Sequence, residues 1–210
     1  MFGFNKEEMR ILRSLDTPQK IQDFLETLRI NFEPGGDTLM SPRVVLRERR
    51  AHCIEGALLA ASALMIHGHK PLLMDLRSVE RDFDHVMSLF QIDGHWGAIS
   101  KTNHAVLRYR EPIYRSPREL AMSYFHEYFL DDGKKTMRDF SRPFNVSPLL
   151  KRGWTTSEDN LWYIAEMLDD SPHESILTRS MIRRLRRADP IEIEAGKLIQ
   201  YRRIDDRKNT

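Results

Sequence analysis

Cys53 is the only cysteine in the chain, and it stands at the start of a long apolar segment. Alanine and leucine dominate residues 53–66, so this segment is predicted to be a helix that is buried on most sides. In the first turn of a helix, unpaired N–H groups and the helix dipole favour a thiolate, which is the nucleophilic form of cysteine. The alternative is a small buried side chain, which is what most free cysteines are.

A β-hairpin is predicted downstream of this helix. Asp93-Gly94 separates two apolar runs and is a strong signal for a two-residue type I′ turn. With this turn, Ile92 pairs with His95, and farther along the ladder His85 faces Thr102. Directly paired residues share a face of a sheet. We expect one face of the hairpin to pack on the predicted helix, and its members are His85, Met87, Leu89, Trp96, Ala98 and Ser100.

His85 and Ser100 come together at one end of that face. They are diagonal neighbours across the hairpin, about 7–8 Å apart between backbones. An imidazole can deprotonate a thiol, and a polar side chain beyond the ring can orient it. The candidate catalytic residues are therefore Cys53, His85 and Ser100, the residue types of a cysteine acyl-transfer enzyme. The alternative for His85 is a strand histidine without a catalytic task.

The order and spacing of these residues resemble the transglutaminase-like core. Glu55 and Ala57 follow the cysteine on the helix, the histidine lies on a strand before an Asp-Gly turn, and Trp96 stands four residues before Ser100. The upstream segment, residues 41–50, and the helix start at Thr17-Pro18 also resemble that family. The resemblance covers roughly residues 15–129. It implies an α+β, papain-like fold with Cys53 as nucleophile and His85 as base.

The chain departs from the family pattern around the third catalytic position. The family usually has Asp-Pro-Thr where this chain has Ser100-Lys101-Thr102, and an aromatic residue where it has Met87. The missing aspartate bears on catalysis rather than on fold. Asn103 is an alternative orienter, because papain-like enzymes use Asn in that role. Its parity places it on the wrong face of the strand unless the strand bulges.

Several other elements are predicted around this core. Thr17 and Ser41, each followed by proline, are expected to cap helices, the second running to about Arg50. Residues 71–76 form the first predicted strand. Ser116 and Glu119 form a capping box that opens a helix with an aromatic stripe.

The last third of the chain is predicted to be a linker and a helical extension. Residues 131–152 are polar and are expected to form a linker or long loop. Two helices follow, capped at residues 155–158 and 171–174. The second carries five arginines between Arg179 and Arg187, which is typical of a DNA-recognition helix. A solvated basic face is the preferred interpretation, because base-reading Asn, Gln and aromatic residues are absent from it. We expect no specific nucleic-acid binding.

Composition limits the functional classes. The chain has 210 residues, with 33 Lys+Arg against 31 Asp+Glu and a net charge of +2. This balance does not indicate a nucleic-acid binder, and a single cysteine excludes an internal disulfide. The N-terminus lacks the apolar core of a signal peptide, and the most apolar run, residues 57–66, is too short to span a bilayer. We therefore expect a cytoplasmic protein without membrane contact.

The paired His67 and His69 lack a thiol or carboxylate ligand at suitable spacing, so we expect no metal and no cofactor. The predicted organisation is a core with N-terminal helices at 1–130, and a linker with a helical extension packed on that core at 131–210. The predicted function is cysteine acyl transfer or hydrolysis on a protein, peptide or other amide-bearing substrate. The alternatives are a non-catalytic binding or scaffold module of the same fold, and nucleic-acid binding through residues 179–187.

Overall fold

The computed structural model describes residues 2–202 and shows an α+β protein with an antiparallel sheet. The helices are α1 (Lys6–Ser14), α2 (Pro18–Glu26), α3 (Pro42–Glu48), α4 (Cys53–Ile66), α5 (Pro117–Met122), α6 (Trp162–Asp169), α7 (Arg179–Arg183) and α8 (Pro190–Gly196). The strands are β1 (Arg29–Ile30), β2 (Arg50–Ala51), β3 (Leu72–Arg77), β4 (His85–Ile92), β5 (His95–Ile99), β6 (Arg110–Tyr114), β7 (Asp139–Ser141), β8 (Phe144–Asn145) and β9 (His173–Ser175).

The cysteine helix, α4, is the centre of the molecule, as the sequence predicts. Its side chains from Ile54 to Leu64 are all buried. On one side Leu59 and Ala63 pack among the apolar residues of α1, α2 and α3. On the other side Leu58 and Ala61 pack on β3 and β4. A helix that is apolar around its whole circumference is stable only when it is covered in this way.

The main sheet has seven strands in the order β6-β5-β4-β3-β7-β9, with β8 pairing on β3, and the pairings within it are antiparallel. The predicted hairpin is confirmed, because Ile92 pairs with His95 and Ser88 with Ile99. Asp93 and Gly94 both have positive φ, as a type I′ turn requires. This register brings the end of β5 alongside the start of β4, where His85 lies.

The face of the hairpin that packs on α4 is the opposite of the one predicted. Met87, Leu89 and Ala98 pack on α5 and the turn after it, against Leu120 and Tyr124. The alternate residues, including Val86, Phe90 and Ile99, contact α4 instead. The sheet is therefore buried on both faces, and alternation alone did not show which face meets which helix.

Three of the predicted helix starts are confirmed. Thr17, Ser41 and Ser116 each accept a hydrogen bond from a backbone N–H in the first turn of α2, α3 and α5. A short parallel pair of β1 and β2 then ties Arg50 and Ala51 to Arg29 and Ile30. This pair anchors the segment that leads directly into Cys53.

The predictions for the last third of the chain were wrong for the linker and for the second helix, whereas the first predicted helix is present as α6. Within residues 131–152 lie β7 and β8, which extend the central sheet instead of forming a linker. The expected long basic helix is also absent: residues 173–175 are strand β9, and α7 covers only Arg179–Arg183. Beyond it, Arg186 pairs with Asp189 and Arg187 donates to the carbonyl of Asp132. The arginines therefore do not form one recognition face.

No helix among residues 2–202 is long and apolar enough to cross a lipid bilayer. Residues 203–210, the last part of the predicted extension, lie outside the described part of the chain.

Candidate active site

Cys53 is the first residue of α4 and is partly exposed. The residue before it, His52, has extended backbone geometry and occupies the N-cap position. Glu55, three residues later, accepts a hydrogen bond of 2.9 Å from the backbone N–H of His52, which is the bond that the N3 carboxylate makes in a capping box. The N–H of Cys53 itself has no carbonyl within the helix to bond to, because it belongs to the first turn.

The carboxylate of Glu55 ties this helix start to the preceding loop. It is fully buried and accepts hydrogen bonds from the amide of Asn31, the hydroxyl of Thr38 and the N–H of Met40. These groups all donate, which is how a buried carboxylate is accommodated. The negative charge of Glu55 is thereby held within one helical turn of the thiol.

The imidazole of His85 is oriented by Ser100. Nε2 of His85 lies 2.7 Å from Oγ of Ser100, and Oγ of Ser100 lies 2.6 Å from the carbonyl oxygen of Leu107. A carbonyl oxygen only accepts, so the single hydroxyl proton of Ser100 is directed at Leu107. The hydroxyl oxygen must then accept from His85, which places a hydrogen on Nε2. Nδ1 is the ring nitrogen left to face the thiol of Cys53.

Ser100 is held in place by helix α2. The side-chain amide of Gln22 donates to the carbonyl of Ser100 at 2.9 Å and accepts from its N–H at 3.0 Å. Two hydrogen bonds between one side chain and one backbone unit fix both the position and the rotation of that unit. The third member of the candidate site is thus built on a rigid element instead of a free loop end.

The thiol of Cys53 interacts with two imidazoles, those of His52 and His85. Burial raises the pKa of this thiol, but the hydrogen bonds and the positive charge of the two imidazoles outweigh burial and hold the pKa well below its usual range. A lowered pKa favours the thiolate, which is the nucleophilic form of cysteine.

His52 is the residue that sequence reasoning missed. Its Nε2 lies 2.9 Å from the carbonyl oxygen of Thr38 and 3.4 Å from a carboxylate oxygen of Glu55. The sequence does place His52 next to the nucleophile and Glu55 three residues later. Histidine is a poor N-cap residue, however, so from the sequence this adjacency indicates only a weak helix start.

Asn103 does not orient His85. Its side-chain amide donates to the carbonyl of Tyr201 and accepts from the N–H of Tyr201, both at 2.9 Å. Both ends of the amide are therefore used to dock the C-terminal segment. Of the two candidates for the third position, the structure brings only Ser100 to the imidazole.

The thiol and both imidazoles line a cavity of about 700 Å³. Tyr128 and Lys101 contribute to its wall, and helix α8 borders it through Ile193 and Gly196. Five carboxylates also line it, and they are Asp82, Asp84, Glu127, Asp131 and Asp132. A cavity of this size is large enough for a peptide side chain or a small amide substrate.

Among residues 2–202, no three His, Cys, Asp or Glu side chains cluster in a way that could hold a metal ion. Neither a protein-family model nor a curated protein matches this chain.

Proposed function

We propose that this protein is a transglutaminase-like cysteine enzyme that transfers or hydrolyses the acyl group of a carboxamide or peptide bond. One observation carries the proposal: the hydroxyl proton of Ser100 is directed at Leu107, so His85 presents Nδ1 to the thiol of Cys53. This is the order of nucleophile, base and orienter that acyl transfer needs. The resemblance of the segment to the transglutaminase-like core supports the same conclusion.

The fold supports the proposal as well. A helix that begins at the nucleophile packs against an antiparallel sheet, and His85 is the first residue of a central strand of that sheet. We infer that this core is papain-like. A single free thiol remains reduced in a reducing compartment, so we place the protein in the cytoplasm.

The reaction follows from the positions of the protons. His85 accepts the thiol proton at Nδ1, and the Cys53 thiolate attacks the carbonyl carbon to form a carbon–sulfur bond. The N–H of Cys53 donates to the developing oxyanion. As the carbon–nitrogen bond breaks, His85 returns its proton to the departing amine. Water or a second amine then attacks the thioester, with His85 as base, which gives hydrolysis or transamidation.

A non-catalytic module of the same fold is the second candidate. The observation that favours it is the hydroxyl of Ser100, which orients the ring but carries no charge to stabilise an imidazolium. In a serine-protease triad, replacing the orienting Asp with Asn lowers kcat by about 10⁴. On this view, the cavity binds an amide-bearing protein or peptide without cleaving it.

Amine release and acyl-enzyme formation distinguish these candidates. We would incubate the protein with a panel of peptide amides, measure the released amine, and detect the acyl-enzyme by intact mass. Because Cys53 is the only cysteine, any thioester adduct is assigned to it directly. We expect an adduct in the wild type, none in Cys53→Ser and much slower formation in His85→Gln. His95→Gln is the matched control, since within residues 2–202 the half-buried ring of His95 bonds only to the Asp93 carbonyl.

Thiol reactivity provides an answer even if the panel lacks a substrate. An activated thiolate should react with iodoacetamide faster at pH 6–7 than the same thiol does in the unfolded chain. A rate in the folded protein no faster than in the unfolded chain would reject the enzyme and favour the binding module. Fast alkylation of Cys53 without turnover of any peptide amide would indicate that catalysis fails because Ser100 carries no charge.

A further inference from the structure

Two imidazoles contact the thiol, and they differ in what lies behind them. Behind His85 is the neutral hydroxyl of Ser100. Behind His52 are two carboxylates, with Nε2 of its ring lying 3.4 Å from Glu55 and 3.6 Å from Glu33. The charged group that the third catalytic position lacks is therefore present behind His52.

The hydrogen bonding of His52 is suited to an imidazolium. Nε2 lies 2.9 Å from the carbonyl oxygen of Thr38, which can only accept, so Nε2 carries a hydrogen. Nδ1 is then the nitrogen available to Cys53. A ring with a carbonyl and two carboxylates on one side and a thiolate on the other meets acceptors in both directions.

The charges around His52 favour the same state. Burial lowers the pKa of this histidine, but its hydrogen bond with Cys53 and the negative charges of Cys53 and Glu55 outweigh burial and raise the pKa to about 9. The carboxylate of Glu55 is fully buried and firmly held, so this charge is not screened by solvent. These charges favour the protonated, positive ring.

We propose that His52 is a second catalytic histidine, whose imidazolium is held by Glu55, Glu33 and the Thr38 carbonyl and acts as the permanent counter-ion of the Cys53 thiolate. This inference rests on the proposed function, since it assigns a role within that reaction. The thiol proton still moves to Nδ1 of His85 and from there to the departing amine. His52 keeps its own proton and stabilises the sulfur anion electrostatically. The two histidines thus divide charge stabilisation and proton transfer between them.

The pH dependence of Cys53 alkylation by iodoacetamide tests this assignment. Each profile reports the one thiol, so no other cysteine needs to be removed. His52→Gln keeps a hydrogen-bonding side chain but not the charge, and we expect its midpoint to rise by about one pH unit, which slows alkylation about tenfold at pH values below the wild-type midpoint. Glu33→Gln retains His52 and should shift the midpoint in the same direction, slowing the reaction about threefold. His95→Gln should leave the profile unchanged.

A second measurement does not depend on the variants. An NMR titration of the wild-type imidazoles should show His52 protonated at pH 7 and losing its proton only above pH 8. A neutral His52 at pH 7, or a His52→Gln profile equal to that of the wild type, overturns the inference. If His85→Gln still shifts the profile in that case, the proposed function survives. If neither substitution shifts it and the folded thiol reacts like the unfolded one, the proposed function fails too.

Discussion

Nε2 of His85 lies 2.7 Å from Oγ of Ser100, and that short contact fixes which ring nitrogen faces the nucleophile. The hydroxyl reaches the ring directly, so no bridging water is needed. The hydroxyl donates its proton to the carbonyl of Leu107, so the hydroxyl oxygen accepts a hydrogen bond from the imidazole. A neutral residue can therefore set the tautomer of His85 as a carboxylate would, but it cannot stabilise the charged ring.

Ser100→Asp tests this distinction. We expect the added negative charge to raise the pKa of His85 and increase turnover of any acyl substrate. The introduced carboxylate would also face the carbonyl of Leu107, and these two hydrogen-bond acceptors would have no proton between them. We therefore expect the free energy of unfolding to fall by about 1–3 kcal/mol. An NMR titration of His85, an amidase assay and urea unfolding measure the three effects.

Ser100→Ala completes this comparison, because it removes the orienting contact without adding charge. We expect slower turnover, and no increase in the pKa of His85. Ser62→Ala is the matched control, since in the described part of the chain that buried hydroxyl bonds only to the Leu58 carbonyl within α4. If Ser100→Asp changes neither the pKa of His85 nor the rate, Ser100 is not the third catalytic position.

The sequence predicts the elements that carry the nucleophile and the base. The apolar run from residue 53 can be stable only as a covered helix, and the Asp93-Gly94 turn determines the register of the hairpin. That register is sufficient to predict that His85 lies beside Ser100. These are short-range features, in which local chemistry and the final fold agree.

The features that were missed depend on contacts between distant segments. Strands β7 and β9 are only three residues long, so they carry little periodic signal, and their partners lie far along the chain. The packing face of the hairpin depends on α5, which covers the side opposite α4. The partners of the His52 ring include Thr38 and Glu33. The loop before α3 folds back and brings both residues to the ring.

Gly56→Ala should disturb the site through packing alone. A Cβ at Gly56 would lie 2.6 Å from Cβ of Lys101, whose ammonium is bonded to the carbonyls of Leu25 and Leu28 at the end of α2. Lys101 follows Ser100 directly, so moving it displaces the orienter of His85.

Alanine normally favours a helix over glycine by about 1 kcal/mol, but overpacking costs about 1–3 kcal/mol. We expect Gly56→Ala to lower the free energy of unfolding by about 1 kcal/mol and to slow alkylation of Cys53. Gly35→Ala is the control, because its Cβ would meet no atom within 4 Å. Thermal unfolding measures the loss of stability, and the iodoacetamide rate measures the reactivity of Cys53. If the Gly56→Ala protein is more stable than the wild type and its thiol reacts at the wild-type rate, this view of the packing is contradicted.

Asp75 should make the stability of the protein depend on pH. It is 1% exposed, its Oδ1 has no hydrogen-bond partner within residues 2–202, and its Oδ2 lies 3.4 Å from Nε2 of His173. Burial, and then the negative charges of Asp84 and Asp169, raise its pKa to about 8. The folded state therefore holds a proton that the unfolded chain has released above about pH 4.

Because the folded state binds the extra proton, the contribution of Asp75 to stability is lost as pH rises between about 4 and 8, by at most about 1.4 kcal/mol per pH unit. Asp75→Asn cannot ionise, so its stability relative to the wild type should increase with pH across that window. Urea unfolding at pH 5 and pH 8 measures the difference. Asp23→Asn, an exposed carboxylate on α2, should show no such trend. A constant difference between Asp75→Asn and the wild type at both pH values would mean that Asp75 does not titrate there.

The carboxylates of the cavity should select reagents by charge. Glu127 pairs with Arg110, and Asp132 with Lys134. Within the described chain, Asp82, Asp84 and Asp131 line the same cavity and form no ion pair. The ammonium of Lys101 is turned toward helix carbonyls, so negative charge predominates along the approach to Cys53.

We expect a cationic methanethiosulfonate to react with Cys53 about tenfold faster than an anionic one at low salt, after correction for their rates with a small free thiol. The ratio should fall toward one as salt rises, because exposed charges are screened. Asp84→Asn and Asp131→Asn should each reduce the ratio, whereas Asp23→Asn should not. Formation of the mixed disulfide at the single cysteine is followed by mass. A ratio below one, or one that salt does not change, would mean that these carboxylates do not govern access to the thiol.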